Sequence, residues 1–196
     1  MLFKIKKIYY SLKPNGIARR FFLQCYLIGL YFFNKILHFF PFEFWKRFVC
    51  GLVGINLGKG ATISSGVRFL GFGNCTIGQR SIINRDCLLD NRSELIIGSD
   101  VSIATGVKIF TQGHNVDDEN FMVNGGAVII EDNVCIFSSA LIMPNLKLSK
   151  KSVIYAGSVV TKSVATSHIV AGNPAKFLRM RKGKQLYKLN SNFWFN

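Results

Sequence analysis

IEDNVC-IFSSAL-IMPNLK-LSKKSV-IYAGSV-V, residues 130–160, places an aliphatic side chain at every sixth position: Ile130, Ile136, Ile142, Leu148, Ile154 and Val160. Val134, Ala140 and Leu146 stand four places after the first three of these. A period of six with a second apolar position inside it fits neither an α-helix nor a hairpin meander. It fits a short strand, a tight turn and another short strand. Three such hexads close one triangular coil, and stacked coils bury a continuous aliphatic core.

The same spacing recurs upstream in shorter runs: Leu57, Ile63, Phe69; Ile77, Ile83, Leu89; and Ile97, Ile103, Ile109. Leu57, Ile77 and Ile97 are each followed by Gly. The steps from 57 to 77 and from 77 to 97 are 18 plus two residues, and the step from 97 to 130 is 18 plus 15. Additions that leave the hexads intact belong at corners, where a loop bulges outward. The largest is expected at about 115–128, directly after His114. About five coils are expected, ending near Ala165. The chain therefore divides into an N-terminal helical region (1–50), a β-helix (51–166) with the loop 115–128, and a C-terminal basic tail (167–196).

The N-terminal region has no such period. Phe21–Asn34 is uncharged but only 14 residues long, between Arg19-Arg20 and Lys35. A membrane-spanning helix needs about 20 apolar residues, and no small-residue cleavage site for a signal peptide follows. One or two amphipathic helices rich in Phe and Tyr are expected. Lys4, Lys6, Lys7, Arg19, Arg20, Lys46 and Arg47 surround them, a composition that suits an interfacial membrane helix or a helical cap over the open end of the coils.

The net charge of +15 is unevenly spread: residues 1–50 carry nine Lys or Arg against Glu43, the middle is mildly acidic, and residues 133–196 carry ten basic residues and no acid. Basic ends suit anionic partners such as lipid or a phosphorylated cofactor, or are a solvated surface. Nucleic acid is not expected, because no recognition motif is present. The five cysteines form no CxxC pair, so reduced, mostly buried thiols in a cytoplasmic protein are expected, without a metal site.

The stretch Ile154-Tyr155-Ala156-Gly157-Ser158-Val159-Val160-Thr161-Lys162, followed by Val170-Ala171-Gly172-Asn173-Pro174-Ala175-Lys176, resembles the C-terminal signature of the hexapeptide-repeat acyltransferases. The resemblance covers Leu57 to about Arg181 and is greatest to the galactoside, maltose and capsule or exopolysaccharide O-acetyltransferases. It implies a left-handed parallel β-helix, a homotrimer, acetyl-CoA as acyl donor and a sugar hydroxyl as acceptor.

Of the three histidines, His38 lies among aromatic residues and His168 follows the last hexad. His114 sits where the long loop begins. A lone histidine at a strand corner is ordinarily structural. The resemblance assigns His114 instead as general base, a role for which imidazole titrates in the right range. It likewise places Asn84 as a residue that holds the acceptor or stabilises an oxyanion, although Asn is also a turn former. Asp86, Asp117 and Glu119 are further candidates for acceptor binding or for orienting the imidazole. For CoA the family pattern maps onto Ser138, Ala156, Gly157, Thr161, Lys162, Lys176 and Arg179, small residues beside the pantetheine arm and cations for phosphate. One departure bears on the acceptor: relatives often carry Trp where this chain has Cys135.

Two other classes compete. A carbonic anhydrase on this fold needs three histidines around zinc, and only His114 lies in the repeats. A non-catalytic scaffold or membrane-surface protein would have no need of His114 or the CoA pattern. Serine remains an alternative acceptor.

Overall fold

The computed structural model describes residues 16–40, 42–183 and 187–190, so Lys4, Lys6 and Lys7 lie outside the described residues. Among the described residues, two helices, α1 (Ile17–Phe39) and α2 (Glu43–Leu52), precede a parallel β-helix. The first coil is β1 (Ile55–Leu57), β2 (Thr62–Ile63) and β3 (Arg68–Phe69); the second is β4 (Cys75–Ile77), β5 (Ile82–Ile83) and β6 (Leu88–Leu89). The third is β7 (Leu95–Ile97), β8 (Ser102–Ile103) and β9 (Lys108–Ile109), after which β10 (Gln112–His114) and β11 (Val123–Gly125) leave the coil. The fourth is β12 (Val128–Ile130), β13 (Cys135–Ile136) and β14 (Leu141–Ile142). The fifth is β15 (Lys147–Leu148), β16 (Val153–Ile154) and β17 (Val159–Val160). A sixth begins with a bridge from Leu148 to Val164 and continues in β18 (His168–Gly172), against which β19 (Ala175–Met180) folds back antiparallel. The stretch read as a basic tail thus opens with two strands.

The first, second and third strands of successive coils stack into three parallel faces. The register follows the hexads: Leu57 pairs with Ile77, Ile77 with Ile97, and Ile97 with Ile130. Every hexad aliphatic from Ile63 to Val160 is buried to 1% exposure or less. These side chains fill the prism, and their removal from water is the main source of its stability.

Corner A joins faces 1 and 2, corner B joins faces 2 and 3, and corner C joins face 3 to face 1 of the next coil. Tight corners need a left-handed residue: Gly60, Arg80, Asp100, Asn133, Lys151 and Ser167 at corner A, and Gly66, Asp86, Gly106, Ser139 and Gly157 at corner B, all have positive φ. The Gly after Leu57, Ile77 and Ile97 has a different cause. A Cβ on Gly78 would stand 2.4 Å from the carbonyl carbon of Gly98 on the next coil.

All three additions fall at corner C. The two small ones are locked by buried polar groups: the Asn91 amide accepts from Gly71 N–H (2.8 Å) and donates to the carbonyls of Gly71 (2.9 Å) and Gly73 (2.7 Å). The large one is a β-hairpin that leaves the coil at Thr111, four residues earlier than the loop read from the sequence.

A parallel β-helix leaves the edges of its first coil unpaired, a liability for any sheet. Here each first-coil strand is met by a helix side chain. Arg47 of α2 donates to the carbonyls of Leu57 (2.6 Å), Gly58 (3.1 Å) and Ala61 (2.9 Å), and Lys46 donates to that of Ile63 (2.7 Å). Asn34 of α1 accepts from Phe69 N–H (2.8 Å) and donates to Phe69 carbonyl (3.0 Å). Phe33 packs on Phe69 and Phe72, with Leu37 buried beside it. Two basic residues counted from the sequence as a possible lipid-facing set therefore point inward.

Lys46 is 1% exposed. Burial pushes its ammonium below the usual lysine range, while Glu43, 3.8 Å away, counters part of that. Lys46→Met is expected to cost about 1–3 kcal/mol, the penalty for leaving a buried carbonyl without its donor. Urea unfolding at fixed protein concentration measures it, and wild-type stability in the variant would contradict the capping role.

Candidate active site

The hairpin at corner C builds the site. Gln112 pairs with Gly125, Gly113 with Asn124 and His114 with Val123. The pairing brings Gly125 so close to the chain that a Cβ there would meet the Thr111 carbonyl oxygen at 2.3 Å. The connecting loop is tied to itself: Asp118 carbonyl accepts from Phe121 N–H (2.8 Å), Asp118 Oδ1 from Asn120 N–H (2.8 Å) and Met122 carbonyl from Asn115 N–H (3.0 Å).

That loop presents the Phe121 carbonyl to His114, with Nδ1 at 2.8 Å. A carbonyl can only accept, so Nδ1 carries the proton and Nε2 of the neutral ring keeps its lone pair. The Phe121 ring lies flat on the imidazole, centroids 4.4 Å apart and planes inclined by 4°. Phe121 holds this pose with φ of +48°, a strained value for a bulky residue. The orienting group is thus main chain, not a carboxylate. Asp117 and Glu119 are exposed on the same loop, and Asp117 N–H donates to Asn115 Oδ1 (3.1 Å).

The base of the hairpin is anchored by Asp90, whose side chain is fully buried. Its Oδ2 accepts from the N–H groups of Thr111 (3.0 Å) and Gln112 (3.2 Å), and Arg92 forms a fork onto both oxygens at 2.8 Å. Asp90 and Phe121 were not singled out in the sequence. An acid at corner C one coil before the insertion is the only trace the first leaves there; the second leaves none.

The other candidates lie elsewhere on the prism. Asn84 follows β5 at corner B, and its amide donates to Ile103 carbonyl of the next coil (2.9 Å). Asp86 occupies the left-handed position of the same corner and lines a groove of about 630 Å³ under α1, with Tyr31, Asn34, Lys35, His38 and Arg68. Ser138, Ala156 and Gly157 continue corner B in the fourth and fifth coils, all exposed. A Cβ on Gly157 would meet nothing within 4 Å, so this ridge has open space beside it. Gly157 N–H is already given to Ser138 carbonyl (2.9 Å) and is not free for an amide of pantetheine. Thr161 and Lys162 stand at corner C with His114, while exposed Lys176 and Arg179 lie on β19.

Within one chain, corner B and corner C flank face 3. The structure therefore does not bring His114 onto Asn84 or onto the Ser138–Gly157 ridge. It does group Thr161 and Lys162 with His114 along one edge.

Cys135 sits on face 2 in a depression of about 590 Å³ with Phe137, Tyr155, Arg179 and Arg181. Its Sγ lies 3.3 Å from the Tyr187 hydroxyl, which Arg181 also approaches at 3.0 Å. Phe137, Tyr155 and Tyr187 thus stand around Cys135. The buried thiols are poor nucleophiles: burial pushes Cys50 up to about 12 and Cys87 up to about 11. Among the described residues, no group of three or more His, Cys, Asp or Glu is placed to hold a metal.

No family model matches the chain. It is 31% identical over 126 residues to galactoside O-acetyltransferase of Escherichia coli, covering 63% of this chain and 62% of that protein. It is 25% identical over 137 residues to an E. coli protein provisionally named colanic acid biosynthesis acetyltransferase, covering 70% of this chain and 75% of that one. A solved galactoside acetyltransferase in complex with coenzyme A superposes with a TM-score of 0.72 at 26% identity, covering 85% of this chain and 88% of that one. The chain spans less than two thirds of the length of the galactoside relative.

Proposed function

Because the chain belongs to the hexapeptide-repeat acetyltransferases, we propose that it moves the acetyl group of acetyl-CoA to a sugar hydroxyl in the synthesis of a surface polysaccharide. The observation that carries this reading is the pose of His114: Nδ1–H is fixed on the Phe121 carbonyl, so the lone pair of Nε2 is left for a substrate proton. The names of the similar proteins support acetyl as the acyl group and a sugar as the acceptor.

In the proposed reaction Nε2 of His114 takes the hydroxyl proton as the sugar oxygen attacks the thioester carbonyl. A C–O bond forms and the carbonyl becomes an oxyanion. Collapse breaks the C–S bond, and the thiolate leaves with the proton held by the imidazolium, so the base is restored. The flat contact with Phe121 restricts rotation of the imidazole about the pose set by the Nδ1–H bond. The open ridge of Ser138, Ala156 and Gly157 suits the narrow pantetheine arm, and Lys162, Lys176 and Arg179 suit its phosphates.

The separation of corners B and C makes a homotrimer part of the proposal. In the proposed cyclic trimer, whose contacts are heterologous, corner C of each chain stands against corner B of its neighbour. Each site then takes His114, Thr161 and Lys162 from one subunit, and Asn84 with the small-residue ridge from the next.

Two measurements test these readings. Acceptor-dependent thiol release from acetyl-CoA, with free sugars, nucleotide-linked sugars and serine offered in turn, tests the reaction. Release with none of them favours a scaffold, and release with serine alone overturns the sugar. Co-expression of His114→Ala with Ala156→Trp, each inactive by itself, is expected to recover about a quarter of wild-type activity, the share of mixed sites with both halves intact. No recovery, or a fully active monomer in sedimentation, refutes the shared site.

A further inference from the structure

Helices α1 and α2 are built inside out. On α1 the residues facing the β-helix are Tyr26, Leu30, Phe33, Asn34 and Leu37. At about 100° per residue, Ile17, Phe21, Ile28, Phe32 and Phe39 fall within about 60° of one another on the opposite side. These five are 86%, 71%, 56%, 59% and 71% exposed. On α2 the inward side carries the charges, Lys46 and Arg47, spent on the carbonyls of the first coil. The outward side carries Phe44, Trp45, Phe48 and Leu52, all exposed. Phe40, Phe42, Phe44, Trp45 and Phe48 form a chain of ring contacts there, with centroids 5.4 to 6.2 Å apart. A cap that only sealed the coil would show its polar side to water; this one does the reverse. Exposed apolar faces of this kind mark an interaction site.

Charge selects the occupant. The one acid in residues 1–50, Glu43, is turned toward Lys46, so the exposed aromatic faces carry no negative charge. Arg20 and Lys35 are exposed beside them, and Lys4, Lys6, Lys7 and Lys13 lie just upstream in the sequence. Two copies meeting through this surface would bring like charges together. An anionic bilayer offers the opposite charge and an apolar interior at once. No helix of the described residues is long and apolar enough to cross a membrane, and the inner line of α1 is already committed to Phe69 and Phe72.

We propose that the outward aromatic faces of α1 and α2 seat the protein on an anionic lipid surface, with the helices lying in the interface and the β-helix standing away from it. The attachment is peripheral and reversible, and it does not depend on the chemistry assigned to His114.

The test uses the full chain and sedimentation with vesicles of phosphatidylcholine and phosphatidylglycerol at a ratio of about 7:3. The comparison variant is Phe21→Ser/Phe32→Ser/Phe44→Ser/Phe48→Ser, whose four positions touch solvent rather than the coil. Deleting α1 is the poorer variant, because it removes Asn34 from the Phe69 edge. Circular dichroism and sedimentation velocity check that the variant keeps its fold and assembly. Wild-type protein is expected to pellet with the anionic vesicles at low salt. Its partition should fall at least tenfold in about 1 M salt, where the Debye length is ~3 Å, and at least tenfold in the variant. Wild-type protein that stays in the supernatant overturns the proposal. So does a variant that pellets as well as wild type. A variant that instead loses its assembly shows that the faces join copies of the chain, which also overturns it.

Discussion

Replacing His114 by alanine is expected to lower turnover about 100- to 10,000-fold, the range for loss of a positioned general base, while the KM for acetyl-CoA and the assembly stay near wild type. The structure gives the reason for the split. His114 is exposed in the last pair of the hairpin, before its loop, and packs into no core, so its removal leaves the coils intact. The cations mapped onto CoA phosphate, Lys162, Lys176 and Arg179, lie on other elements. Initial-rate thiol release against acetyl-CoA concentration separates the two constants. A variant with near-normal turnover would remove His114 from the mechanism; one with normal turnover and a raised KM would make it a binding residue. Phe121→Ala provides the internal comparison. It keeps the carbonyl that fixes Nδ1 but loses the stacked ring. A loss smaller than that of His114→Ala is therefore expected.

The coils were legible because hexad spacing is a direct record of which side chains face the axis, from Ile63 through Val160. The additions were legible as lengths, since a coil tolerates extra residues only where it turns. Their common corner was not read in advance, although Phe69 to Ile77, Leu89 to Ile97 and Ile109 to Ile130 all span it. What stayed hidden were contacts between parts of the chain that share no period. Lys46 and Arg47 look in sequence like any surface cations; only the unpaired carbonyls of Ile63 and Leu57 explain their direction. Phe121 meets His114 across a hairpin whose pairing carries no strong alternation. The sequence supplied His114 and the ridge at Ser138–Gly157 through family resemblance. Their separation onto two corners emerged only from the folded coil.

Asp90 carries the second large expectation. Asp90→Ala should destabilise the fold by about 3 kcal/mol at neutral pH, toward the lower end for breaking a buried pair because Arg92 is partly solvated. That corresponds to a melting temperature lower by about 6–12 °C. Two effects add: Thr111, itself fully buried, loses the acceptor for its N–H, and the Arg92 fork loses its partner. The same bonds fix where β10 starts, two residues before His114, so turnover should also fall, by ~10- to 100-fold, as the imidazole loses its placement. The pH dependence separates this role from ordinary packing. Burial pushes the Asp90 carboxyl upward, but the Arg92 guanidinium and the N–H groups of Thr111 and Arg92 outweigh it, and the group stays charged below the usual carboxylate range. The unfolded chain then binds the proton first. The stabilisation from Asp90 is complete above the unfolded value of about 3.9 and is lost as pH falls through the lowered folded value. Wild type and Asp90→Ala should therefore differ most at neutral pH and converge in acid below about pH 4, as measured by urea unfolding at a series of pH values. Asp90→Asn, which keeps one acceptor oxygen for Thr111 N–H but no charge for Arg92, should lie between them. A gap between wild type and Asp90→Ala that stays constant down to pH ~2 would mean the carboxylate acts by its shape alone, and the charge-assisted anchoring of the hairpin would be wrong.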